Sequence, residues 1–114
     1  MNRSYSLKRH KDFHYTYRTG KSVSSRLFSL VWTRNRLDVV HIGFSVSKKI
    51  GNSVQRNRVK RRLRACITPM LPYIRKGTNL IFIARSEVLT VPFTEMQVQM
   101  TDLLKRAKLI EEIK

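Results

Sequence analysis

The chain has 114 residues, 24 of them Lys or Arg and 7 Asp or Glu, for a formal net charge of +17 at pH 7. That length supports one domain with a modest core. So large a surplus of positive charge needs a polyanion to cancel it, which disfavours a free-standing metabolic enzyme and points to nucleic acid or an anionic membrane. With 41 % hydrophobic residues, 4 Gly and 3 Pro, the composition is that of a folded domain rather than a disordered basic tail. The single cysteine, Cys66, cannot close an intrachain disulfide, and the start through Lys11 is polar and basic, without the apolar stretch of a secretory signal. The longest apolar run, Leu80 to Ala84, has five residues, too few to span a membrane. One domain over residues 1–114, no membrane partner and a cytoplasmic, reducing setting are therefore expected.

In chain order, Lys8 to Arg18 sets Phe13 and Tyr17 one turn apart and closes at Gly20, which predicts a short helix. Lys21 to Ser24 suits a short strand. Over Leu27 to Arg34, Phe28, Leu30 and Trp32 share one face while Leu27, Ser29, Val31 and Thr33 share the other, a strand pattern. Val39 to Ser47 repeats it, with Val40, Ile42, Phe44 and Val46 opposite His41, Gly43, Ser45 and Ser47. Asn35 to Asp38 suits a tight turn, so these two strands are expected to pair as a hairpin. After Gly51, Asn52 and Ser53 offer N-caps, and Val59, Leu63, Cys66, Ile67 and Met70 recur at helical spacing until Pro69 and Pro72. Leu80 to Ala84 reads as a strand buried on both faces, reached through the turn Lys76, Gly77, Thr78. Pro92 precedes a long helix whose apolar stripe is Phe93, Met96, Met100, Leu103, Leu104 and Ala107. The order is αβββαβα, an α+β sandwich of helices on one sheet.

The charge is not evenly spread. Between Lys48 and Arg64, 8 of 17 residues are Lys or Arg. At about 100° per residue, the apolar positions of this helix fill an arc of roughly 100°, and Lys60, Arg64, Arg61, Arg58 and Arg62 spread over about 200° outside it. Arg56 projects within the apolar arc but one turn before the core begins, so it can lie beside the sheet. No acidic residue occurs between Asp38 and Glu87, so these cations lack the i, i+4 partners of a helix built merely for solubility. An external anion must relieve their repulsion, and Arg adds bidentate recognition of phosphate. The helix N-terminus near Ser53 offers backbone N–H groups for a further phosphate.

Phe13 and Tyr17 could stack on unpaired bases. The small face Gly43, Ser45, Ser47 would leave a groove floor open to a nucleic-acid backbone, with Val31 adding an apolar patch and Lys48 and Arg56 lining it. Catalytic groups are scarce. A two-metal nuclease needs several converging carboxylates, whereas Asp12, Asp38, Glu87, Glu95, Asp102, Glu111 and Glu112 form no tight motif. His10 and His14 stand at i, i+4 with no third ligand nearby in sequence, and Cys66 belongs to an apolar stripe. If the chain takes part in RNA cleavage, the catalytic groups lie elsewhere.

The stretch Phe44-Ser45-Val46-Ser47-Lys48-Lys49-Ile50-Gly51-Asn52-Ser53-Val54-Gln55-Arg56-Asn57-Arg58-Val59-Lys60-Arg61 closely resembles the SVSKK-x-GN-x-x-x-RN-x-x-KR signature of the bacterial ribonuclease P protein subunit. Asp12-Phe13 with Gly20, and Ile83-Ala84-Arg85, also sit where that family has them. The resemblance covers nearly the whole chain. It implies a small basic protein that binds a catalytic RNA subunit and the 5′ leader of precursor transfer RNA, so that the leader is removed endonucleolytically. Hydrolysis would fall to the RNA with Mg²⁺, with no catalytic residue, no protein-held metal and no protein partner required. The RNA-subunit-binding positions it implies are Arg56, Asn57, Arg58, Lys60, Arg61, Arg62 and Arg64. The leader-binding positions are Phe13, Tyr17, Val31, Ser47, Lys48 and Arg56, around a central cleft. It further implies a mixed four-stranded sheet with a left-handed βαβ crossover through the basic helix, against the usual right-handed rule. The chain departs from relatives at Val31, a position often Tyr, and at Ile110, where an aromatic can occur. The alternative is a structural, ribosome-type RNA-binding protein with no role in cleavage.

Overall fold

A computed structural model of the chain describes residues 5–7 and 10–110. Its elements are α1 (His10–Thr19), β1 (Lys21–Ser24), β2 (Phe28–Arg34), β3 (Val40–Ser45), α2 (Ser53–Ile67), β4 (Thr78–Ala84) and α3 (Phe93–Arg106), with 3-10 turns at Thr68–Tyr73 and Ser86–Thr90. The order αβββαβα is the expected one. Lys8 and Arg9, the first residues of the expected helix, and Glu111 and Glu112 lie outside the described residues.

The strands form one mixed sheet in the order β1-β2-β4-β3. β4 runs antiparallel to β2 and parallel to β3, so α2 carries a crossover between neighbouring parallel strands. The expected hairpin between β2 and β3 is not formed, because β4 lies between them. The physical reason is burial. Six of the seven residues of β4 are buried, and a strand apolar on both faces belongs in the middle of a sheet rather than at its edge. The polar loop after β2 therefore spans the start of β4 instead of turning tightly. Gly77, at φ 78°, supplies the left-handed backbone that lets the two loops meet. Asn35 N–H donates to the Gly77 carbonyl at 2.7 Å, and Gly77 N–H donates to the Val39 carbonyl at 2.9 Å.

The register separates the two faces of the sheet. Phe28, Leu30, Ile42, Leu80 and Phe82 enter the main core with Val59, Leu63, Cys66 and Ile67 of α2 and Met96, Met100, Leu103 and Leu104 of α3. Trp32 and Phe44 pack against its margin, and Ile110 is part of it. On the opposite face, Ser22, Val31, Ile81 and Gly43 align across the four strands, and α1 packs against β2 and β4 there. Thr16 is fully buried beneath α1, with its hydroxyl 3.2 Å from that of Thr33.

α2 starts with a capping box. The Asn52 side chain accepts from Gln55 N–H at 2.9 Å, and Asn52 N–H donates to Gln55 Oε1 at 3.0 Å. This satisfies two donors that the helix start would otherwise leave to solvent. Replacing Asn52 by Ala is expected to cost about 1 kcal/mol, read as a lower urea midpoint at unchanged m-value.

Candidate nucleic-acid interface

The outer face of α2 is the first part of the site. Val54, Asn57, Arg61 and Arg64 line a shallow depression along one stripe of the helix, at i, i+3, i+7 and i+10, opposite the buried stripe of Val59, Leu63 and Cys66. Among the described residues the ion pairs are Arg26 with Glu95 at 3.9 Å and Arg106 with Asp102 at 4.0 Å, so none involves an α2 cation. Arg58, Arg61 and Arg64 are exposed, while Lys60 is half-buried at the helix margin.

Arg62 is used differently from the rest. Its Nη2 donates to the Val91 carbonyl at 2.9 Å, tying α2 to the segment that leads into α3. Arg62 therefore spends part of its donor set inside the protein, although a helical wheel groups it with the outward cations. Nearby Cys66 is 1 % exposed, with Sγ 3.9 Å from the Phe93 carbonyl. Burial pushes its thiol up to about 11, against a lowering pull from Arg62. Cys66 is thus a packed, protonated group at neutral pH and not a nucleophile.

The second part is a trough on the α1 side of the sheet. Its floor is the row Ser24, Ser29, Ile83 and Ser45, one residue from each strand in register. The hydroxyls of Ser24 and Ser29 lie 3.0 Å apart, and Arg85 Nη2 donates to Ser29 Oγ at 3.2 Å. α1 forms one wall. Its Phe13 ring lies over Gly43, where an added Cβ would stand 2.6 Å from the ring, and its Thr16 lies over Thr33. Tyr17 projects on the side of Phe13 away from Thr16, toward the serine row, and is 52 % exposed. On the far side, Ser47 and Lys48 are exposed beyond the end of β3, in the turn closed by Ile50 N–H on the Ser47 carbonyl at 3.1 Å.

Two floor residues expected from sequence are covered. Gly43 is buried beneath Phe13, and Val31 is only 7 % exposed, with its Cγ1 2.7 Å from where a Gly20 Cβ would stand. The end of α1 seats on Val31, so it supports the helix from below and offers no patch to a ligand. Sequence reasoning missed Ile83 and Arg85 as trough residues, because their place depends on β4 being central. Leu80 to Ala84 is apolar throughout and shows no alternation, so the available signal was Arg85, a charge two residues after Ile83 and therefore on its face.

Arg56 is set apart from the exposed cations of α2. It is half-buried on the inward side of the first turn of α2, and its Nε is buried with no hydrogen-bond partner. A buried donor left unpaired costs about 1–3 kcal/mol, and an anionic oxygen beside Arg56 would remove that cost. The expected phosphate site at the helix start is narrowed, since Gln55 N–H already serves the Asn52 cap. Asp12, Asp38 and Glu87 sit on separate segments, Glu95 and Asp102 share α3 but stand near Arg26 and Arg106, and no group of three metal-ligating side chains converges among the described residues.

The fold has close parallels among solved structures. The solved Staphylococcus aureus RNase P protein superposes with a TM-score of 0.85 at 33 % identity, covering 94 % of this chain and 98 % of that one. The Thermotoga maritima RNase P protein gives 0.81 at 28 %, covering 94 % and 98 %. The ribonuclease P protein component of Caldanaerobacter subterraneus is 38 % identical over 106 residues, 93 % of this chain and 91 % of that protein. That of Streptococcus pyogenes is 38 % identical over 112 residues, 98 % and 93 %. With the family model described as Ribonuclease P matching residues 1–108, the chain belongs to the ribonuclease P protein family.

Proposed function

We propose that the outer face of α2 docks on the catalytic RNA subunit of ribonuclease P while the trough holds the single-stranded 5′ leader of precursor transfer RNA. As a family member, the chain is the protein component of a ribonucleoprotein endoribonuclease acting in transfer RNA 5′ processing. The observation that carries the division of surfaces is the absence, among the described residues, of any carboxylate paired with an α2 cation. Uncompensated Arg side chains in one stripe favour a folded polyanion, and the trough with Tyr17 on its wall suits one strand with stacked bases. Arg56 serves both.

In this reading the protein contributes differential binding. Holding the leader favours precursor over the mature product, and neutralising phosphates stabilises the folded RNA subunit. Mg²⁺ in the holoenzyme is held mainly by RNA oxygens, and hydrolysis proceeds there. Among the described residues the carboxylates do not converge as a protein-held pair of metal ions would need. Among the described residues no helix is long and apolar enough to cross a membrane, which fits the cytoplasmic setting we propose.

The trough is tested by leader affinity against salt. If about five phosphates are contacted, the log–log slope for a single-stranded leader is about −3.5. A slope near zero would remove the electrostatic account.

A further inference from the structure

α1 carries one pair of side chains that neither the core nor the trough uses. His10 and His14 are both exposed, with ring centroids 5.5 Å apart and planes inclined by 19°. Taking Phe13 as zero, at about 100° per residue, Tyr17 lies at about 40°, His10 at about 60° and His14 at about 100°. Both imidazoles therefore stand on the rim of the trough, beyond Tyr17 and away from buried Thr16. Two histidines at i, i+4 on one helix face is the spacing at which helical imidazoles share one zinc ion. A tetrahedral ion with Zn–N near 2.0–2.1 Å needs the two ligating nitrogens about 3.3 Å apart, within reach of exposed rings whose Cβ atoms lie about 5–6 Å apart at this spacing. Among the described residues neither ring makes a hydrogen bond that would have to be given up.

We propose that His10 and His14 form a two-imidazole site for one borderline divalent transition-metal ion, Zn²⁺ in the first instance, with its remaining coordination positions open toward the trough. Imidazole suits Zn²⁺, Cu²⁺ and Ni²⁺ rather than Mg²⁺, so the site is chemically distinct from any Mg²⁺ held by RNA. The local charge opposes a bare dication. Arg18 stands one turn beyond His14, Lys11 lies on the outer side of the helix, and the positive end of the helix dipole is at His10. Asp12 is on the opposite side of α1, and His41 lies in the row with Thr33 and Asn79, beyond Thr16, so neither completes the site. A phosphate oxygen of a strand in the trough is the ligand that would both fill an open position and offset the charge. That last step rests on the trough reading, whereas the histidine pair does not.

The test follows the imidazole NMR signals of the full chain during titration with Zn²⁺ alone. The His10 and His14 rings are expected to shift together to one equivalent while His41 stays unmoved. H10A and H14A each weaken Zn²⁺ binding at least about tenfold, since even outer partners of a metal site cost that much, and H41A leaves it unchanged. Independent shifts of all three rings, or unchanged affinity in H10A or H14A, would overturn the site. A second arm adds single-stranded RNA. Zn²⁺ should tighten RNA binding to the wild-type chain, with the gain lost in H14A and the zinc-free affinity kept. No gain in the wild type overturns the phosphate bridge. Loss of zinc-free RNA binding in the wild type would instead count against the trough and leave the metal arm standing.

Discussion

Substituting Arg61 and Arg64 together by alanine weakens binding to the catalytic RNA by about 3 kcal/mol, roughly a hundredfold, taking about 1.5 kcal/mol for each charged hydrogen bond at the low end of its range. The log–log salt slope becomes shallower by about 2, one unit for each phosphate contact removed. Both residues line the outer depression of α2, both are exposed, and neither pairs with a carboxylate among the described residues. The double variant should therefore keep its stability within about 0.5 kcal/mol, as surface changes of this kind do. Arg62 provides the contrast within the same helix. Its alanine variant loses the bond to the Val91 carbonyl and shows its effect in the unfolding midpoint. Equal losses of RNA affinity for the double variant and Arg62→Ala, with no change in stability for either, would contradict the assignment of the outer stripe.

Replacing Tyr17 by alanine, alone and then with Phe13, erodes preference for leader-bearing substrate. At about 1–3 kcal/mol for each base–aromatic stack, the double variant loses roughly 3 kcal/mol toward precursor and little toward mature transfer RNA. Tyr17 is the cleaner probe, because it is exposed and its removal opens no void. Phe13 also covers Gly43, so its removal uncovers the sheet and adds a stability cost. A parallel measurement of unfolding separates the two effects. Equal loss on precursor and mature transfer RNA would place the aromatics outside the leader path.

Much of this arrangement is legible in the chain because period and composition are local. The alternation of Phe28, Leu30 and Trp32 and the helical recurrence of Val59, Leu63 and Cys66 place those residues on the core side. The Asn52 cap is legible as well, since Asn before a helical stretch has few other uses. Strand order is a different kind of property. Asn35 to Asp38 suits a hairpin by its own chemistry, yet β4 displaces it, because a strand apolar on both faces gains more at the centre of the sheet than a tight turn loses. That one insertion also carries Ile83 and Arg85 to the trough. Val31 and Gly43 were legible as small or apolar positions on the right face, but their cover, the end of α1 and the ring of Phe13, comes from packing between segments. Arg62 shows the same limit. A wheel gives its direction, whereas its bond to Val91 depends on where the chain returns.

The division of labour, RNA binding by this chain and hydrolysis by its RNA partner, is tested most directly by reconstitution. Purified chain is added to the cognate catalytic RNA and precursor transfer RNA at low Mg²⁺, and release of the 5′ leader is followed against RNA alone and chain alone. The account predicts faster leader removal when both are present, with the gain confined to leader-bearing substrate, and no cleavage by the chain alone. Cleavage by the chain without the RNA subunit, or no stimulation when both are present, would contradict it.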